Sequence, residues 1–282
     1  NQLRAGVGTS NYVPGSTTTL ANTNSLRPYR GYGNIQQFVT GANFNYNSLQ
    51  TQFRRQFPGA GVLNLAFTWG KGLTNASAYN TQPMDSYDRR RDWGRTSYNR
   101  EKILVVSYVY PIPFWQHGRN TWYKKGFGGW QLSGVTQIQQ GLPVNITISP
   151  DRAGTGAGNQ RPDLVGDPYS GGIVGGYQIL NPAAFALPER GTFGNLGAYN
   201  IFLPLWNNWN ASVSKSFPAG EKMRWFVRIE MYNFPNHLSV YSINTGSYNG
   251  VRADGTSVAA NWGYVSGMTS PRTVQVALRM TF

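Results

Sequence analysis

The chain has 282 residues and a net charge of +14, yet only 13% of its residues are charged, against about 25% in soluble domains. Its 34 glycines and 16 prolines disfavour long helices, and no run of about 18 apolar residues offers a membrane-spanning helix. With 0 cysteines there are no disulfides, thiolate metal sites or cysteine nucleophiles, and the arginines form no stripe beyond Arg89-Arg90-Arg91, so nucleic acid is not an expected partner.

Residues 1–32 are rich in Asn, Thr, Ser, Gly and Pro and read as a loop or irregular leading segment. Over residues 33–282 the pattern changes to strands with one apolar and one polar row. Leu49 and Phe53 stand opposite Gln50, Gln52 and Arg54. After a short turn at Phe57-Pro58-Gly59, Leu63, Leu65, Phe67 and Trp69 alternate with Val62, Asn64, Ala66 and Thr68. A long loop near residues 74–96 then gathers Asp85, Asp88, Arg89, Arg90, Arg91 and Asp92. This surface cluster reads either as an ion or ligand site or as a solvated salt-bridge set that pins the loop.

The segment 103–110 is apolar on both faces, and His117 falls in a turn at 114–120. Trp130, Leu132 and Ile138 then alternate with Gln131, Ser133, Gln137 and Gln139, before a long loop near 150–205. Trp209, Ala211, Val213 and Phe217 alternate with Asn208, Asn210, Ser212, Ser214 and Ser216, and Phe217-Pro218-Ala219-Gly220 reads as a short turn. Met223, Trp225, Val227, Ile229 and Met231 alternate with Arg224, Phe226, Arg228, Glu230 and Tyr232. After a third long loop near 241–261, Val274, Val276, Leu278, Met280 and Phe282 form one row of the last strand.

Side chains on a strand point alternately to opposite faces, so each segment has an oily face and a wet one. Segments of about 10 residues cross a bilayer when tilted, and roughly nine to eleven of them are expected here. Trp and Tyr recur at the strand ends, as an interfacial girdle requires. A soluble sandwich would alternate too, but its outer rows would carry Lys and Glu rather than Gln, Asn, Ser and Thr. The expected fold is all-β: an antiparallel transmembrane β-barrel, an up-and-down meander with short turns at one end and long extracellular loops at the other, in a bacterial outer membrane.

Nothing in the residues points to catalysis, a cofactor or a metal. His117 and His237 lack carboxylates at ligand spacing. Asp151, Asp163 and Asp167 accompany the Gly-rich segment 154–176, where a calcium-stabilised loop is conceivable, but their spacing matches no EF-hand. Gly154-Thr155-Gly156-Ala157-Gly158 lacks the Lys-Ser/Thr of a phosphate loop, and no Ser sits in a Gly-x-Ser-x-Gly setting. The chain is expected to be no enzyme.

Several runs resemble a known family. They are Leu26-Arg27-Pro28-Tyr29 with Gly31-Tyr32-Gly33, Asn45-Tyr46-Asn47-Ser48-Leu49-Gln50, Gly129-Trp130-Gln131-Leu132-Ser133-Gly134 and Gln140-Gly141-Leu142-Pro143. Further on come Arg161-Pro162-Asp163-Leu164-Val165-Gly166-Asp167-Pro168, Gly191-Thr192-Phe193-Gly194-Asn195 and Arg228-Ile229-Glu230-Met231-Tyr232-Asn233-Phe234-Pro235-Asn236-His237. Together with the closing strand, their order is similar to the C-terminal part of the Oar-like, carboxypeptidase-regulatory-domain TonB-dependent outer-membrane receptors. The resemblance implies a barrel of about 22 strands around a plug, of which this chain is an incomplete, C-terminal part. It implies as partners a missing N-terminal plug and barrel region or a companion chain, with TonB reached only through that region. The terminal Phe282 and the row Val274, Val276, Leu278 and Met280 also look like the signal that the barrel-assembly machinery reads by strand addition.

Arg54, Arg224, Arg228, Glu230 and Arg279 lie on polar rows and are expected to line the lumen, because a charge at the lipid midplane costs about 2–4 kcal/mol. They read either as a basic lining that favours anionic solutes or docks an acidic plug surface, or as salt bridges within the wall. Lys215, on the apolar row, is tolerable only near an interface, where it can snorkel. The leading reading is receptor-mediated uptake of a large or scarce solute, in contact with outer-membrane lipid and lipopolysaccharide. Surface adhesion and a small passive porin are the alternatives.

Overall fold

The computed structural model describes residues 2–6, 25–78, 81–113, 126–170, 177–219, 223–252 and 258–282. Seven long strands form its wall: β1 (Phe44–Phe57), β2 (Gly61–Thr74), β3 (Lys102–Pro111), β4 (Gln131–Gln139), β5 (Trp206–Ala219), β6 (Met223–Tyr232) and β7 (Thr273–Thr281). Each pairs antiparallel with its neighbours in chain order. The two-residue piece Gly94–Arg95 adds to the loop end of β2. Seven long strands among the described residues fall short of the nine to eleven expected, because the length that would permit further strands is taken up by the long connections.

Register converts the local alternation into two continuous faces. Leu49 pairs with Trp69 and Phe53 with Leu65. On the same face Leu65 meets Val106, Leu104 meets Ile138, Leu132 meets Val213, Val213 meets Ile229 and Ile229 meets Val276. The opposite face runs through Gln52, Asn64, Ser107, Ser133, Ser212, Glu230 and Gln275. A slip of one residue at any pair would turn a whole strand's oily row to the wet side. At Gly134 the missing side chain makes room for the Tyr108 ring, its cross-strand partner.

The sheet is open. Neither β1 nor β7 has a second partner strand among the described residues, and nearly every residue of both is exposed whichever way it points.

Connections differ at the two ends, as expected. At one end β1 and β2 are joined by residues 58–60, with Gly59 and Ala60 at positive φ, and only three residues separate β5 from β6. The latter turn is displaced from its expected place: Phe217, Pro218 and Ala219 remain in β5 and pair with Trp225, Arg224 and Met223. Proline survives there because the strand is at its end. Residues 112–130 make a longer link at this same end; the turn expected around His117 lies outside the described residues.

At the other end the described parts of residues 75–101, 140–205 and 233–272 fold together into a cap instead of forming independent loops. Phe185, Tyr248 and Trp262 pack edge to face or tilted, with ring centroids 5.1–6.0 Å apart, each such pair adding about 0.5–1.5 kcal/mol beyond area burial. Ile146, Leu180, Leu196, Ile201 and Ile243 close around them. An antiparallel pair, Val240–Ile243 with Val265–Met268, brackets the segment expected as a loop near 241–261. The leading segment also joins the cap: Leu3 N–H donates to Thr155 O at 2.9 Å, and buried Arg27 donates through Nη2 to Gly156 O at 2.8 Å. Residues 33–43, expected within the strand region, precede the first strand.

Candidate functional site

The polar face of the wall is the first candidate. All charged residues that the seven strands place on it were expected there: Arg54, Arg224, Arg228, Glu230 and Arg279. Arg54 lies opposite Asn64, whereas Arg224, Arg228 and Glu230 stand on β6 with Arg279 opposite Phe226. Arg54 and the β6–β7 group therefore sit at opposite edges of the open sheet. Arg54, Arg224 and Arg279 lie near the turn end of their strands, so the basic charge concentrates at that mouth. Arg228 Nη2 reaches Glu230 Oε1 at 2.8 Å, a half-exposed pair that neutralises one of four arginines.

A hollow of about 400 Å³ opens beside Arg228 and Glu230, where Asn64, Ser107, Ser133 and Ser212 share the lining with Val62, Val109 and Val135. Ser133 and Ser212 share a hydrogen bond of 2.8 Å, and Asn64 donates weakly to Ser107 at 3.4 Å. These hydroxyls and amides belong to the polar rows of the sequence; what brings five strands to one hollow is register.

The apolar face carries its charges only toward its ends. Lys71 and Lys102 stand near the cap end, Arg55 and Lys215 nearer the turn end. Lys215 was the one exception visible in the rows. Its ammonium lies 4.6 Å from the Phe217 ring centroid and 5.6 Å from that of Trp130, and it donates to Gly126 O at 2.8 Å. It is buried under the 126–130 segment with its charge satisfied rather than extended into water. The terminal row Val274, Val276, Leu278, Met280 and Phe282 is exposed throughout, from 43% at Met280 to 91% at Phe282.

The charge cluster of the first cap loop is divided by the fold. Asp88 pairs with Arg90 at 3.2 Å on the surface, and the Arg90 backbone N–H holds its carboxyl below the usual range. Asp85 approaches Arg91 at 3.5 Å. Asp92 turns inward, where Arg161 Nη1 meets its Oδ1 at 2.8 Å with both side chains buried. The other donors of Arg161 go to Arg91 O at 2.7 Å and Leu196 O at 2.9 Å, so one guanidinium ties three places in the cap. Arg161 was visible only within one of the runs that carry the family resemblance; nothing in its spacing from Asp92 announces the pair.

The carboxylates considered for calcium accept hydrogen bonds from neighbouring backbone. Asp151 accepts the Thr155 and Gly156 N–H groups at 3.1 and 2.6 Å, Asp163 accepts Asn195 N–H at 2.8 Å, and Asp167 accepts Tyr169 N–H at 3.0 Å. Among the described residues no three His or carboxylate groups gather at metal-binding range. Burial pushes the Tyr248 hydroxyl up to about 12; it donates to Pro182 O at 3.1 Å and also to Phe185 O.

Among the described residues no helix is long and apolar enough to cross a membrane, which leaves strands untouched. Comparison with curated proteins and with solved structures returns no match. A family model described as an outer membrane beta barrel domain matches residues 1–275, in agreement with the two-faced antiparallel wall. The chain belongs to the outer membrane beta barrel domain family, and its place is the bacterial outer membrane.

Proposed function

We propose that this chain is the C-terminal wall of a TonB-dependent receptor that takes up a large or scarce solute, and that it has no catalytic activity. The observation that carries the reading is the open sheet: among the described residues, seven long strands share a hollow on one face and neither outer edge is paired. Unpaired backbone groups in hydrocarbon cost several kcal/mol each, so spanning sheets close on themselves. β1 begins at the cap end and β7 finishes at the turn end. A barrel of even strand number closed on these edges therefore needs an odd number of further strands. Large barrels of this kind hold a plug, and the basic mouth formed by Arg54, Arg224 and Arg279 suits an acidic plug surface or an anionic solute. Strand β7 and Phe282 would engage the barrel-assembly machinery during insertion.

Pairs of cysteines test closure cleanly in a chain with 0 native cysteines. One is placed on β1 at Ser48, Gln50 or Gln52 and the other on β7 at Gln275 or Ala277. In native membranes no β1–β7 disulfide is expected. Efficient cross-linking would mean a small self-closed barrel, as a passive porin requires, and would overturn the proposal. Uptake that persists after the proton-motive force is collapsed would do the same. The cap, with its own aromatic core, favours a second reading as a surface contact element. Replacing residues 245–262 by a short turn would then abolish cell contact and leave uptake intact.

A further inference from the structure

The cap end of the β1–β2 hairpin carries a cleft of about 420 Å³, within the usual span for small-molecule sites. Its floor is built where the hairpin opens: Asn43 N–H donates to Asn75 Oδ1 at 2.9 Å, and Thr74 Oγ1 donates to Asn43 O at 2.9 Å. Tyr87 and Trp93 supply half-exposed aromatic walls, 51% and 42% accessible. Tyr87 is held in place, its hydroxyl donating to Gln2 O at 2.8 Å and its ring stacked 4.9 Å from the Arg4 guanidinium.

The charges around this cleft do not cancel. Of the four carboxylates in the loop, Asp88 is taken by Arg90, Asp85 by Arg91, Asp92 by Arg161 and Glu101 by Arg95. That leaves Arg89, which lines the cleft and has no ion-pair partner among the described residues. The tip of its guanidinium points at Gly41, where a methyl group would fall directly on Nη1. A guanidinium presents a rigid fork that binds carboxylate or phosphate through two parallel hydrogen bonds. Aromatic walls pack against the C–H faces of a sugar ring, and the Asn43 and Asn75 amides suit its hydroxyls.

We infer that this cleft binds an anionic saccharide, with Arg89 contacting the phosphate or carboxylate and Trp93 and Tyr87 flanking the ring. The inference stands on the cap alone and does not depend on the receptor reading. Two sources carry the chemistry at an outer surface: a free sugar phosphate, and the phosphorylated sugars of lipopolysaccharide.

The full-length protein, in vesicles free of lipopolysaccharide, is titrated calorimetrically with glucosamine 1-phosphate and with neutral N-acetylglucosamine. A second arm measures lipopolysaccharide retained by the protein after detergent washing. Saturable binding of the sugar phosphate assigns a soluble ligand; retention of lipopolysaccharide alone assigns the headgroup; either supports the site. Arg89→Ala should weaken binding about tenfold or more, since it removes a charge-assisted pair, and Arg89→Lys should retain part of it. Gly41→Ala displaces only the tip of a flexible side chain, so it should weaken binding while strand content by circular dichroism persists. Binding by neither ligand, equal affinity for the neutral sugar, or unchanged affinity in both Arg89→Ala and Gly41→Ala would overturn the assignment.

Discussion

Replacing Arg161 by Met removes the guanidinium that joins the first and second cap loops while keeping a side chain of similar length. Three contacts go at once: the pair with Asp92 at 2.8 Å, the bond to Arg91 O at 2.7 Å and the bond to Leu196 O at 2.9 Å. The Arg161 and Asp92 side chains are only 4% and 8% exposed, so the orphaned carboxylate cannot turn to water. It keeps the Met84 N–H at 3.0 Å and nothing of opposite charge. Leaving one member of a buried pair uncompensated costs about 3–5 kcal/mol. That corresponds to about a hundredfold to a few thousandfold in the opening equilibrium of the cap. Limited proteolysis of intact vesicles reads this directly, because cleavage of a transiently opened segment follows its population when reclosing is fast. Cleavage sites should appear within residues 81–101 and 140–200 while strand content by circular dichroism stays constant. The double variant Asp92→Asn with Arg161→Met should be less open than Arg161→Met alone, since no buried charge remains. A cap that opens by less than about 1 kcal/mol in Arg161→Met, or strictly additive single effects, would refute this account of the pair.

Further expectations rest on the two faces and the cap core. Val276→Arg, at a position 67% exposed on the apolar face, should destabilise the inserted protein by about 2–4 kcal/mol in urea titrations from vesicles, and Gln275→Arg on the polar face by under about 1 kcal/mol. Lys215→Met keeps the packed stem but removes the donor to Gly126 O; a loss of about 1–3 kcal/mol is expected in the same titration, and a gain would show that burying the ammonium costs more than its contacts return. The Tyr248 hydroxyl stays protonated in the folded cap up to about 12, while an unfolded tyrosine ionises near ~10. Between those values the unfolded state holds fewer protons, so cap stability should be full below pH ~10 and fall as pH rises to about 12. Tyr248→Phe should cost about 1–3 kcal/mol at neutral pH through the unpaired Pro182 and Phe185 carbonyls and should flatten that alkaline decline, monitored by proteolysis of the cap.

The membrane-facing architecture is legible because alternation is a local property. Whether Leu63, Leu65, Phe67 and Trp69 share a face depends only on the extended backbone between them, and the same holds for Val274 to Met280. For that reason the polar-row arginines were identifiable before any pairing was known. The uncharged row that completes the hollow was equally visible, but its convergence needed the register of five strands. The cap was not legible. Its residues have no period, and they read as loops because their apolar side chains point into a core assembled from distant segments: Ile146, Phe185, Ile243 and Trp262 share no local rhythm. The seven wall strands are the segments whose alternation is visible; the length that would permit further strands is, among the described residues, taken up by the cap. Asp92 looked like one of several surface acids until the fold set Arg161 beside it, and Arg89 looked like one of three equivalent arginines until its neighbours were seen to be taken. Periodicity, composition and the two-faced wall are thus determined by the order of residues along the chain. Which loop meets which, and which charge is left without a partner, is decided only when long-range closure brings separated backbones together.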